Sequence, residues 1–177
     1  EKVLNQLYGW SKGDKAKRVE MFQAVAENRP GEPLVAIFLA FAQKENGDVD
    51  GGLATLSKAE QTMPNAPYVP LNRGHLLLAK KDTDGALAAY VKAVKAAPAF
   101  AKGLFDDLNG RAFNTGEFTP SQREKLWMAL WEAWPEAVDT ANNAGLWYRD
   151  IGKDYKRSSS WYLRAVEAAP DSPQVLN

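Results

Sequence analysis

Short apolar-periodic stretches alternate with polar breaks carrying Gly, Asp or Pro along the whole chain. Val3, Leu4, Leu7, Tyr8 and Trp10 fall on helix-spaced positions before the break Ser11-Lys12-Gly13. Val19, Phe22, Val25 and Ala26 then form a second apolar stripe, which predicts a second helix. The run from Pro33 to Ala42 is apolar almost all round and predicts a helix covered on several sides. Lys44-Glu45-Asn46-Gly47 ends it with a glycine suited to a left-handed cap. Leu53, Leu56 and Ala59 face inward from its partner helix. Residues Pro67 to Pro98 predict two helices divided by Lys80-Lys81-Asp82-Thr83. Lys102 to Phe113 predicts another helix, with Leu104, Phe105 and Leu108 apolar. After a longer loop, Thr119-Pro120-Ser121-Gln122 starts the next helix with an N-cap threonine, a proline at the first helical position and a capping-box glutamine. Trp127, Leu130, Trp131 and Trp134 follow at i, i+3, i+4 and i+7. Such a stripe is either an aromatic ligand box or core, and the helical period favours core. Ser158-Ser159-Ser160 is poor helix material and is expected to be an exposed patch.

These elements repeat in phase. Closing prolines stand at Pro30, Pro64, Pro98, Pro135 and Pro170, at spacings of 34, 34, 37 and 35 residues. Eight residues before each lies Phe22, Leu56, Tyr90, Trp127 or Tyr162, and five before each lies Val25, Ala59, Ala93, Leu130 or Ala165. A turn of one type recurs at Gly13-Asp14, Gly47-Asp48, Lys81-Asp82 and Lys153-Asp154. A fixed period of this length is the signature of a stacked-repeat architecture.

Gly74, Ala86, Tyr90, Ala93 and Pro98 give the order Gly, Ala, aromatic, Ala, Pro, which resembles the tetratricopeptide repeat of 34 residues. The resemblance covers nearly the whole chain. It implies an all-α fold, a right-handed α-solenoid of about five helix-turn-helix units in one array. Their bounds are 1–32, 33–66, 67–100, 101–137 and 138–172, and 173–177 begins a further helix. The small pair that lets paired helices approach is Ala40/Gly52, Gly74/Ala86 and, roughly, Gly145/Ser158. Arg18 and Arg123 take the second small position in the first and fourth units, so helix contact there must differ. Glu1 falls inside the first helix of its unit and Ser172 to Asn177 reads as the start of another, so the chain is expected to be part of a longer protein.

Composition narrows the function. The 177 residues are 45% hydrophobic and 25% charged, with 22 basic and 22 acidic side chains. Zero net charge argues against a nucleic-acid binder, which needs a basic face. The absence of cysteine excludes disulfides and thiolate chemistry, and leaves the compartment open between cytoplasm and periplasm. No apolar run approaches the roughly 20 residues of a membrane span. A single histidine, no phosphate-cradling glycine loop and no metal-ligand spacing point away from catalysis, cofactors and metals. Asp106-Asp107 and Asp48/Asp50 are paired acids, but neighbouring helix residues point apart.

Recognition is the remaining route. In tetratricopeptide arrays the first helix of each unit lines a concave face, mainly through its second, fifth, sixth, ninth, twelfth and thirteenth positions. Carried onto this chain, those positions give Val3, Leu7 and Trp10, then Leu34, Ile37, Phe38, Phe41 and Lys44. The third unit gives Tyr68, Leu71, Asn72, His75 and Leu78, and the fourth Lys102, Phe105, Asp106 and Asn109. The fifth gives Asp139, Asn142, Asn143, Leu146 and Arg149. Asn72, Asp106 and Asn143 share the sixth position, where an amide can donate and accept together. This is similar to a partial asparagine ladder of O-linked N-acetylglucosamine transferases; the alternative is a row of solvated polar residues. Ile37, Phe41, Tyr68, Leu71 and Phe105 would make an apolar wall. The Lys/Asn carboxylate clamp of chaperone-tail binders is absent, since its positions hold Val3/Leu7, Ile37/Phe41 and Leu71/His75. The sequence therefore describes a non-enzymatic scaffold for a partner peptide or helix. Homo-oligomeric assembly, or a targeting arm for domains outside the chain, are the competing readings.

Overall fold

The computed structural model describes residues 2–11, 13–99, 118–135 and 138–172. Among these residues it shows nine α-helices and no strand. The chain divides into two compact units, Glu1–Ala93 and Val94–Asn177.

In the first unit the helices are α1 (Lys2–Trp10), α2 (Lys15–Asn28), α3 (Pro33–Glu45), α4 (Val49–Thr62), α5 (Tyr68–Ala79) and α6 (Thr83–Ala96), the last crossing the unit boundary. One turn design starts the second helix of each pair. Gly13 and Gly47 adopt φ of 86° and 91°, and Lys81 takes the same left-handed conformation at 64°. The aspartate that follows then caps the helix: Asp14 accepts from the Lys17 N–H at 3.0 Å, Asp48 from Gly51 at 2.8 Å and Asp82 from Gly85 at 2.9 Å. Each cap satisfies a backbone donor that the first turn leaves open. Pro33 opens α3, where its missing N–H costs nothing.

Helix α3 packs against α2, α4 and α5. Its all-round apolar character is explained by two core clusters that it joins. Val35, Leu39 and Ala42 meet Leu4 and Phe22, while Ile37 and Ala40 meet Leu56, Ala59, Val69 and Leu76. The small pair predicted at Ala40/Gly52 is a real close approach. A Cβ on Gly52 would lie 2.7 Å from the Ala40 carbonyl oxygen and 2.8 Å from Leu76 Cδ2. Gly74 makes room for the fully buried Tyr90 ring.

The second unit shows α7 (Pro120–Ala133), α8 (Val138–Asp150) and α9 (Tyr155–Ala168). The predicted capping box is formed by Thr119 and Gln122. Lys153 at φ 51° and the Asp154 cap on Arg157 N–H, 3.0 Å, repeat the turn of the first unit. Gly145 faces the Tyr162 ring, 2.7 Å from where a Cβ would stand. Ser158 sits against Gly145 as the small pair requires, and it corrects the expectation of an exposed patch. It is buried, not exposed, because its hydroxyl donates to the Gly145 carbonyl at 2.9 Å and so satisfies itself at the contact between α8 and α9. Ser159 and Ser160 are exposed.

Candidate functional site

The first helix pair shows how a large residue replaces a small one. The Arg18 guanidinium lies 4.0 Å over the Tyr8 ring, its Nε donates to Ser11 Oγ at 3.0 Å, and it pairs with the Glu45 carboxylate. The cation thus spans α2 and α3 with Tyr8 beneath it. Tyr8 also meets Phe22 at 5.8 Å and Phe38 edge-on at 6.1 Å. Leu4 and Tyr8 of α1, at i and i+4, therefore turn inward, as does Ser11 in the turn that follows.

That orientation changes which residues of α1 line the expected binding face. Val3 and Trp10 stand exposed, and Val3 and Leu7 border a separate recess of about 410 Å³ with Val25, Leu34 and Val35. The residues beside α3 are instead Asn5, Tyr8 and Gly9. With Ile37, Phe38 and Phe41 they enclose a largely apolar cleft of about 420 Å³. Phe38 is held by stacking on Phe22 at 5.4 Å. Lys44 places its ammonium 5.5 Å from the Phe41 ring centre. At Gly9 no atom lies within 4 Å of where a Cβ would be, so the cleft mouth is open there.

The cleft wall has a measurable acid–base property. The Tyr8 phenol is pushed up to about 12, first by burial and then by the Glu45 carboxylate, against the opposing pull of Arg18. Burial and the Glu124 carboxylate push Tyr148 up as well. An unfolded tyrosine ionises near 10. Between about pH 10 and 12 the folded chain keeps protons that the unfolded chain has lost. Stability from these phenols is complete below about pH 10 and is lost as pH rises through the folded values. Urea melts at about pH 9 and pH 11 are expected to show a lower midpoint at the higher pH, and a smaller drop in Tyr8→Phe. An undiminished drop in that variant would show that Tyr8 is not the group responsible.

The other sequence-derived site residues are placed as follows. Ile37, 8% exposed, and Phe41 meet in the cleft. Tyr68 is 51% exposed on α5, and Leu71 is partly buried. Asn72 Nδ2 donates to the Tyr68 carbonyl of its own helix at 2.7 Å. His75 Nδ1 hydrogen-bonds with the Tyr90 hydroxyl at 3.1 Å, so it helps satisfy a buried phenol. Asn142, Asn143 and Leu146 are partly buried on α8. Phe105, Asp106 and Asn109 lie outside the described residues. Asn5, Tyr8 and Gly9, which line the cleft, are not among the positions that the repeat register gave. Gly9, with no turn to serve, and Arg18 at a small-residue position were the signals available.

In the second unit Trp127 and Leu130 of the predicted stripe are core, while Trp131 and Trp134 are partly buried. Trp127 is fully buried, with ring centres of Trp147, Tyr148 and Trp161 at 5.7, 5.7 and 6.4 Å. Glu124 Oε2 accepts from the Tyr148 hydroxyl at 2.5 Å and from Trp161 Nε1 at 3.2 Å. Arg123 is buried beneath Trp147, 5.0 Å from its ring centre, and donates to the Phe118 carbonyl. Its charged form is disfavoured by that burial. Among the described residues no group of three or more His, Asp or Glu side chains is arranged to hold a metal ion, and no helix is long and apolar enough to cross a membrane.

Paired helices, in-phase aspartate-capped turns and small-on-large contacts define a helical-repeat fold. Residues 71–100 match the sequence model described as the tetratricopeptide repeat. Among solved structures, a double mutant of MamA RS-1 is similar with a TM-score of 0.55 and 19% identity, over 97% of this chain and 96% of that one. MamA from residue 41 to the end, from Desulfovibrio magneticus RS-1, gives 0.53 and 17% over 97% and 96%. The C-terminal part of a TPR repeat-containing protein from Cytophaga hutchinsonii gives 0.55 and 15% over 94% and 65%. No curated protein matches the sequence. At these identities the likenesses establish the fold. The chain shares the helical-repeat fold of these structures, and its residues 71–100 match a tetratricopeptide repeat.

Proposed function

We propose that the chain is a protein-interaction scaffold, not an enzyme, and that the face carried by α1, α3 and α5 holds a peptide or helix of a partner protein. The observation that supports it best is the open apolar cleft between α1 and α3. Phe38 and Phe41 line it, on a helix whose other faces are already buried in two core clusters. A contiguous apolar cleft is a candidate contact surface in a way that scattered apolar side chains are not. Burying one large side chain there would contribute roughly 1.5–3 kcal/mol. With backbone contacts, a micromolar Kd, about −8 kcal/mol, is the expected range.

The test uses a displayed library of random peptides panned against the whole chain and against Gly9→Trp. That substitution enters open space, so it is expected to fill the cleft without unfolding the protein. Circular dichroism and thermal melting check the fold. Enriched peptides should bind the parent chain with micromolar affinity and the Gly9→Trp variant at least ten-fold more weakly. Equal binding to both folded proteins, or no enrichment, would remove the cleft from the account.

A further inference from the structure

The charges around this cleft are not those of the chain as a whole. Acidic and basic residues balance over the full sequence. Among the described residues α1 nevertheless has no carboxylate and α5 has none, and the one acid on α3 is Glu45. That carboxylate is already engaged by Arg18. Two lysines remain on the elements that form the cleft. Lys44 stands over Phe41 at one end of its wall, with no carboxylate partner among the described residues. Lys2 lies on the face of α1 that carries Asn5 and Gly9, at i, i+3 and i+7.

We infer that the cleft selects an acidic amphipathic segment of a partner protein, one large apolar side chain flanked by glutamates or aspartates. The inference rests on the function proposed above and adds the chemistry of the ligand. The apolar anchor fills the space between Tyr8 and Phe41. Carboxylates on either side of it meet the two ammonium groups. Because the clamp for a terminal carboxylate is missing, the acids come from side chains within the segment, not from a chain end. Exposed ion pairs of this kind contribute modestly to affinity and more to choice of partner.

Two synthetic peptides decide it: a Leu-Phe pair flanked by glutamates, and the same pair flanked by lysines. Each is titrated calorimetrically into the whole chain at low and at high salt. The glutamate peptide is expected to bind roughly five-fold tighter or better at low salt, with the difference shrinking as salt screens it. Lys44→Glu should reduce or reverse the preference, and Gly9→Trp should weaken both peptides. Equal binding of the two peptides, with both weakened by Gly9→Trp, would overturn the acidic preference and leave the proposed cleft standing. Binding that Gly9→Trp does not weaken would overturn both. A single-stranded oligonucleotide that binds while neither peptide does would overturn the inference in favour of a different polymer.

Discussion

Trp127→Ala is expected to lower stability by about 3–5 kcal/mol, the range for removing a fully buried large aromatic. Four rings meet at this position, and Trp127 is the member that touches the other three. The cavity would open beside Tyr148 and Trp161, whose polar atoms both rest on Glu124. Relaxation into the space would therefore disturb two hydrogen bonds as well as the packing. Urea denaturation followed by near-ultraviolet circular dichroism measures the loss. A cost below about 1 kcal/mol would mean that Trp127 is not a core residue, and would favour the stripe as a ligand box.

Alanine at Gly52 is the second large effect. In a helix interior alanine is ordinarily about 1 kcal/mol better than glycine. Here the added methyl would press on the Ala40 carbonyl oxygen, which is backbone and cannot step aside as a flexible side chain would. Overpacking of this kind costs typically 1–3 kcal/mol, so a net loss is expected. Gly9→Ala is the matched comparison. It meets nothing and should gain a fraction of the propensity difference, since Gly9 lies near the end of α1. Thermal melts of the two variants should move in opposite directions. A rise for Gly52→Ala would show that α3 and α4 can separate without penalty.

The fold was legible where one local rule decided the outcome. The aspartate after each turn caps a helix whether a glycine or a lysine precedes it, so four turns could be read from spacing alone. Gly52 likewise announced a close helix contact. Legibility stopped where two rules competed. In α1 the periodicity allows Val3, Leu7 and Trp10 to face the same way, but it does not report that Arg18 lies over the Tyr8 ring. The interaction lies between residues ten apart in sequence, so no local pattern reports it. Ser158 failed for a related reason: a serine hydroxyl looks solvent-loving until the carbonyl that receives it, on Gly145, is known. Asn72 could be assigned to a face from its register, yet its bond to the Tyr68 carbonyl depends on a rotamer that spacing does not encode.

The opening at Gly9 has a practical corollary. The 177 residues of the chain contain no thiol at all. A cysteine introduced at that point would be its sole nucleophilic sulfur, and a maleimide dye attached there would sit at the mouth of the cavity. Its emission colour would then follow filling and emptying in real time, and the protein would become a sensor for whatever it captures.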